Sequence, residues 1–169
     1  MKKKINTKEL IQLAVICAVI FVGKELMATI PNISPVATLI ILTTIVYGWK
    51  ALLPVTAFSL LEISIYGFGL WTIMYLYVWP LAVVVTMIFR KNKNALFWAL
   101  ISGIYGLCFG AFCSIPYIFI GGFKEAVAFW ISGIPYDLLH GSGNAVLTLI
   151  LFPILLPLMK KIKNGQIEK

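Results

Sequence analysis

Apolar residues run through this chain in long blocks, interrupted at a few places by prolines, glycines or clustered cations. A membrane-crossing helix takes about 20 mostly apolar residues, and blocks of that order recur. The first runs from about Leu10 to Ile30 and stops at Pro31-Asn32-Ile33-Ser34-Pro35, where two prolines enforce a non-helical loop. The second, 36–46, is short and ends at Tyr47-Gly48-Trp49-Lys50. The third covers 51–66, and Gly67 to Gly69 makes a hairpin into the fourth, 70–89. Arg90-Lys91-Asn92-Lys93-Asn94 is a polar break, after which a fifth block covers 95–115 and stops at Pro116. The stretch from Phe123 to Met159 is too long for one crossing. Gly133 followed by Pro135 has the form of a helix-terminating glycine and a first-turn proline. The pattern therefore predicts a short helix over 124–131 and a sixth span over 135–158. The expected fold is a single all-α integral membrane domain, 1–169, with six transmembrane helices and a short extra helix before the sixth.

Composition points the same way. Of 169 residues, 61% are hydrophobic and 12% are charged, with a mean hydropathy of +0.98. Soluble domains carry roughly 25% charged residues. No soluble core of this length hides so many apolar side chains, so the bilayer is the solvent. A net charge of +8 would raise nucleic acid as a partner for a soluble protein, but here the placement of the charges decides. Lys2, Lys3, Lys4 and Lys8 precede the first span, and Lys50 follows the second. Arg90, Lys91 and Lys93 follow the fourth, and Lys160, Lys161, Lys163 and Lys169 follow the sixth. With six spans all of these fall on one side, while the opposite loops offer only Lys124. The positive-inside rule then places both termini in the cytoplasm of a multi-pass plasma-membrane protein. No nucleic-acid partner is expected. The basic start leads into an apolar run too long for a signal-peptide core, so no cleavable leader is expected either. Cys17, Cys108 and Cys113 lie inside apolar runs without CxxC spacing and read as small packing residues.

An ionisable residue at membrane depth costs roughly 3 kcal/mol on insertion scales and marks a functional site by default. The spans contain Lys24, Glu25, Glu62, Asp137 and His140. Alternating span direction puts all five toward the extracellular half, where they would line one outward-facing cavity. For Lys24, Glu25 and Glu62 the alternative is snorkelling to the outer headgroups. For Asp137, just after Pro135, it is capping of the free amides at the start of the sixth span. His140 and Asn144 follow on the same face, too far along to cap. Each either lines the cavity or bonds a neighbouring helix.

Trp71, Tyr75 and Trp79 recur every fourth residue, on one face running inward. They either wall a pocket for a flat, partly apolar molecule or belong to an interfacial aromatic belt. Tyr117, Phe119, Phe123, Phe129 and Trp130 fill the region before the sixth span. Ser102, Gly106, Gly110 and Ser114 also recur every fourth residue and form a close-packing face on the fifth span. Ala14 and Ala18 make a second such pair on the first span, for internal packing or for a partner helix. Catalysis is not expected. The single histidine cannot build a multi-histidine metal site, Ser142 points away from His140, and no GxxxxGK[ST] phosphate loop is present.

Six short spans with cytoplasmic ends, the Ala14/Ala18 pair and the late segment Gly133–Asn144, GIPYDLLHGSGN, resemble a known family. It is that of the substrate-binding S components of energy-coupling factor (ECF) vitamin transporters, and the resemblance covers essentially the whole chain. It implies a membrane-embedded vitamin-binding subunit with its site near the extracellular face. Such a subunit docks through helix one onto a transmembrane scaffold subunit carrying two ATPases, so that ATP is used by the partners and no cofactor by the chain itself. Carried over by position, Ala14 and Ala18 are the docking residues and the loop 31–35, with Asn32, is the lid. Asp137, His140 and the nearby aromatics Tyr117 and Trp130 contact ligand, together with Glu62, Trp71 and Tyr75. The stretch from Gly23 to Trp71 is most similar to cobalamin-type members. Folate, pantothenate or a queuosine precursor are the other ligands considered, the first two wanting a cation such as Lys24 or Lys124.

Overall fold

A computed structural model describes residues 5–30 and 32–165, which are all-helical and contain no strand. Lys2, Lys3, Lys4, Pro31 and Lys169, used above for charge placement and the loop, lie outside the described residues. The helices are α1 (Thr7–Leu26), α2 (Val36–Tyr47), α3 (Leu52–Tyr66), α4 (Leu70–Phe89), α5 (Ala95–Leu107) and α6 (Phe109–Asn164), with a 3₁₀ turn at Gly48–Ala51. Three helical stretches, Val36–Tyr66, Leu70–Phe89 and Ala95–Asn164, are long and apolar enough to cross a membrane. Large apolar side chains remain exposed along the outer faces, among them Ile11, Val15, Ile73, Leu100 and Ile150. Water would penalise such a surface and lipid would not.

α2 is the hub. It is enclosed on every side, each of its residues, three threonines included, being buried against α1, α4, α5 and α6. A short helix enclosed on all sides must settle its terminal carbonyls within the protein. Two cations do this: Arg90 Nε donates to Ile45 O at 3.1 Å, and Lys163 Nζ donates to Val46 O at 2.6 Å. Positive charge at a helix C-terminus is also favoured by the helix dipole. Beside them, Lys50 pairs with Glu9 at 2.5 Å. Lys50, Arg90 and Lys163 thus gather at one end of the bundle.

Contacts give the direction of each rod. Glu9 meets Lys50 and Lys24 meets Glu62, so α1 and α3 run parallel. Phe58 contacts both Tyr75 and Trp79, while Tyr66 and Trp71 share one end, so α4 returns antiparallel to α3. Thr38 bonds Thr148 at 2.8 Å and Val46 bonds Lys163, which makes α2 parallel to the end of α6.

The last two segments depart from the sequence pattern. Pro116 does not end a helix. Its ring nitrogen cannot donate to Phe112 O, but Tyr77 reaches across from α4 and its hydroxyl donates to that carbonyl at 2.6 Å. The break falls earlier, at Cys108, and the reversal later, at Gly122, whose φ of 80° is left-handed backbone that glycine adopts without strain. Gly133 and Pro135 do not separate two helices either. The expected short helix over 124–131 and the expected start at Pro135 are replaced by one uninterrupted rod over 123–164. Gly133 has no left-handed φ, and Ile131, whose carbonyl loses its partner to Pro135, lies on the exposed surface. The glycine stop that the sequence pattern assigns to Gly133 falls at Gly122, where the backbone leaves the helix with φ 80° and ψ −177°.

The two limbs around Gly122 pack as an antiparallel hairpin. Gly103 lies against Ala145, Gly106 against Gly141, Gly110 against Asp137, and Tyr117 stacks on Phe129 at 4.2 Å. Gly106 and Gly110 of the small-residue face expected on the fifth span lie in the seam of this hairpin, whereas Ser114 donates to Ala111 O within its own limb. A testable consequence concerns Tyr77. Tyr77→Phe should destabilise the fold by about 1–3 kcal/mol by orphaning Phe112 O. In a Pro116→Ala background the same substitution should cost distinctly less, since residue 116 then supplies the missing amide. Thermal unfolding in detergent across the four variants measures that coupling.

Candidate functional site

At the end of the bundle opposite the basic cluster, two cavities meet. The first, about 310 Å³, lies beneath the loop after α1 and is lined by Asn32, Ser34, Tyr75, Trp79, Phe109 and His140, with Lys24 at its edge. The second, about 270 Å³, is lined by Lys24, Glu62, Tyr66, Trp71 and Tyr75. Lys24 and Tyr75 belong to both and form the wall between them. The basic end also holds concave space, about 380 Å³ among Lys8, Glu9, Gln12, Lys50 and Lys163. That space is bounded largely by long flexible cations already engaged with Glu9 and the α2 carbonyls, and it has only Tyr47 as an aromatic wall. Chemistry, not volume, therefore selects the opposite end.

The aromatic wall comes from one face of α4. Spacing by four residues stacks the rings edge to face, Trp71 on Tyr75 at 5.3 Å and Tyr75 on Trp79 at 5.6 Å. Trp79 is almost fully buried, and its Nε1 has no hydrogen-bond partner. Phe109 opens α6, and its ring lies 4.5 Å from the imidazole of His140 on the opposite limb.

The charged wall is an ion cluster across α1 and α3. Lys24 Nζ lies 2.6 Å from Glu62 and 3.1 Å from Glu25, and 4.8 Å over the Tyr66 ring. The Tyr66 hydroxyl donates to the second oxygen of Glu25 at 2.5 Å. Glu62 is only 2% exposed and its Oε1 has no partner. It does not reach the surface, so the snorkelling alternative does not apply to this carboxylate. Asn32 sits in the loop with a φ of 55°, a left-handed conformation that asparagine tolerates. Its amide donates to Tyr136 O at 3.3 Å and ties the loop to α6.

Of the residues singled out from sequence, Asn32, Glu62, Trp71, Tyr75 and His140 come together around the two cavities. Tyr117, Trp130 and Asp137 line neither. Tyr117 is stacked on Phe129 toward the tip of the hairpin, and Trp130 lies on the outside, 42% exposed. Asp137 is buried one turn from His140, within an unbroken rod, so it does not cap its own helix. Its Oδ1 instead accepts from Gly110 N at 2.8 Å, capping the amides freed at the start of α6 in the opposite limb. Ala14 and Ala18 are exposed on the outer face of α1, beside Ile11, Val15 and Val22.

Phe109 enters the site without a sequence signal, while Ser34 belongs to the loop that the sequence resemblance assigns as a lid. Trp79 carries a signal, the four-residue register with Trp71 and Tyr75. Asn144 is fully buried beside Ser102 O at 3.4 Å and serves the packing between limbs. Fold and site together define a helical, membrane-compatible bundle with a polar, aromatic-walled cavity at one end. Comparison with protein-family models, curated proteins and solved structures finds no match.

Proposed function

We propose that this chain is the substrate-capturing membrane subunit of an energy-coupling factor importer, taking up a water-soluble vitamin. In this reading each rod between reversals is one crossing, six in all, with both termini in the cytoplasm of a bacterial cell. The observation that carries it is the cavity pair: in a bundle made largely of apolar side chains, the aromatic ladder, the single histidine and a partly buried ion cluster converge at the end away from Lys50, Arg90 and Lys163. By the positive-inside rule that end faces outward. The exposed Ala14/Ala18 face of α1 supplies a flat surface for the scaffold subunit, which brings the two ATPases. The chain then binds and delivers, while the partners hydrolyse ATP. Cobalamin is the vitamin the sequence resemblance favours. Neither cavity alone encloses a corrin, so cobalamin requires the loop around Asn32 to open, whereas a smaller vitamin does not.

Purification of the full chain in detergent, followed by mass spectrometry of co-purifying small molecules, tests this directly. Recovery of a stoichiometric vitamin or vitamin precursor is expected. A protein that carries none and binds none in calorimetry would overturn the capture role. With that ligand in hand, Trp71→Ala and His140→Ala should each weaken binding by about 1–3 kcal/mol while leaving thermal unfolding intact. Unchanged affinity in both would remove these walls from the site.

A further inference from the structure

We propose that the cavity beside Glu62 receives a positively charged group of the ligand, an organic ammonium or a cationic nitrogen heterocycle. The inference rests on the capture role above and names the class of molecule captured; on charge it favours a cationic vitamin over the cobalamin to which the sequence resemblance points. Charge accounting at the site supports it. One ammonium, Lys24, faces two carboxylates, Glu62 at 2.6 Å and Glu25 at 3.1 Å. The cluster is therefore one cation short, and Lys24 is committed to groups of this chain. An anionic ligand would have to compete with two carboxylates for that single lysine and would add a third negative charge beside the buried Glu62.

The remaining walls suit a cation as well. Tyr66, Trp71 and Tyr75 line the same 270 Å³ space as Glu62, and aromatic faces around a cation with an acidic counter-ion are the general means of holding ammonium groups. The protein already uses the site in this way, since the Lys24 ammonium sits 4.8 Å over the Tyr66 ring. Lys24 acts as a tethered stand-in. Glu62, 2% exposed with Oε1 unpartnered, retains an acceptor for an arriving cation. When that cation binds, Lys24 keeps Glu25, which is its neighbour on α1 and already its partner.

The test uses three probes that share one flat ring and differ in charge: 1-methylnicotinamide (cationic), nicotinamide (neutral) and nicotinate (anionic). Titrated into the full chain in detergent by calorimetry, the cation should bind about tenfold tighter than the neutral compound, and nicotinate weakest. Glu62→Gln should collapse the preference for the cation, and Tyr66→Leu, which leaves the ion pair in place, should reduce it. Nicotinate binding as well as or better than the cation would overturn the proposal, as would a cation preference that survives Glu62→Gln, or no saturable binding of any of the three. Failure here is separable from failure of the capture role. A co-purified vitamin that is anionic or neutral sinks the cation assignment alone, while a chain that carries no vitamin and binds none in calorimetry sinks both.

Discussion

Gly106→Val is expected to abolish the folded bundle. A Cβ at position 106 would stand 2.7 Å from the Gly141 Cα, 2.8 Å from its nitrogen and 2.8 Å from the His140 carbonyl carbon. All three are backbone atoms, so no rotamer change relieves the clash and the limbs must part. Separation would also pull His140 away from Phe109 and Asp137 away from Gly110. Overpacking usually costs 1–3 kcal/mol where side chains can shift; here, with only backbone to move, the loss should exceed about 3 kcal/mol. Size-exclusion profile and thermal unfolding in detergent read it out. Gly133→Ala is the contrasting case. It lies within the uninterrupted rod with nothing within 4 Å, so alanine should stabilise by up to about 1 kcal/mol. A helix break at Gly133 would give the opposite sign, which makes this one substitution a test of the rod itself.

The second large effect concerns Lys24. Lys24→Met leaves Glu62 buried without its cation, and breaking one side of a buried pair costs about 3–5 kcal/mol. Adding Glu62→Leu removes the stranded charge and should recover most of that loss, because the apolar pair no longer has to desolvate a carboxylate. A double variant as unstable as Lys24→Met alone would mean that Lys24 matters for its packing and not for its charge.

The helical character and the stretches long and apolar enough to cross a membrane are legible in the sequence because they depend only on the lengths of apolar blocks. The block ends at Gly48, Gly67 and Arg90 are legible for the same reason: positive φ or clustered charge acts locally. Pro116 misleads because its cost is met from another helix, by the Tyr77 hydroxyl, and a remote donor leaves no mark near residue 116. Gly122 and Gly133 are equivalent as letters. Which of them turns the chain is decided by how the small residues of the two limbs mesh, Gly106 on Gly141 and Gly103 on Ala145. In the site, the ladder from Trp71 to Trp79 follows from helical periodicity, and Glu62 stands out as a charge amid apolar neighbours. The partnership of Glu62 with Lys24 does not, since the two are brought together by α1 and α3 running parallel. Asp137 illustrates the reverse case: a capping role is legible, but the amides it caps belong to the other limb.

The unbroken rod over 123–164 has one more implication. Roughly 40 residues at about 1.5 Å each extend some 60 Å, twice the ~30 Å hydrocarbon layer. Standing upright, it would lift Phe119, Phe123 and Ile131, all more than half exposed, into open water. A lean of roughly 40° keeps those side chains among the lipid headgroups. In the proposed orientation the hairpin should therefore lie slanted across the bilayer, its tip resting on the outer leaflet like an oar on a gunwale, and spin labels at Phe119 and Phe123 should report shallow immersion and not free tumbling.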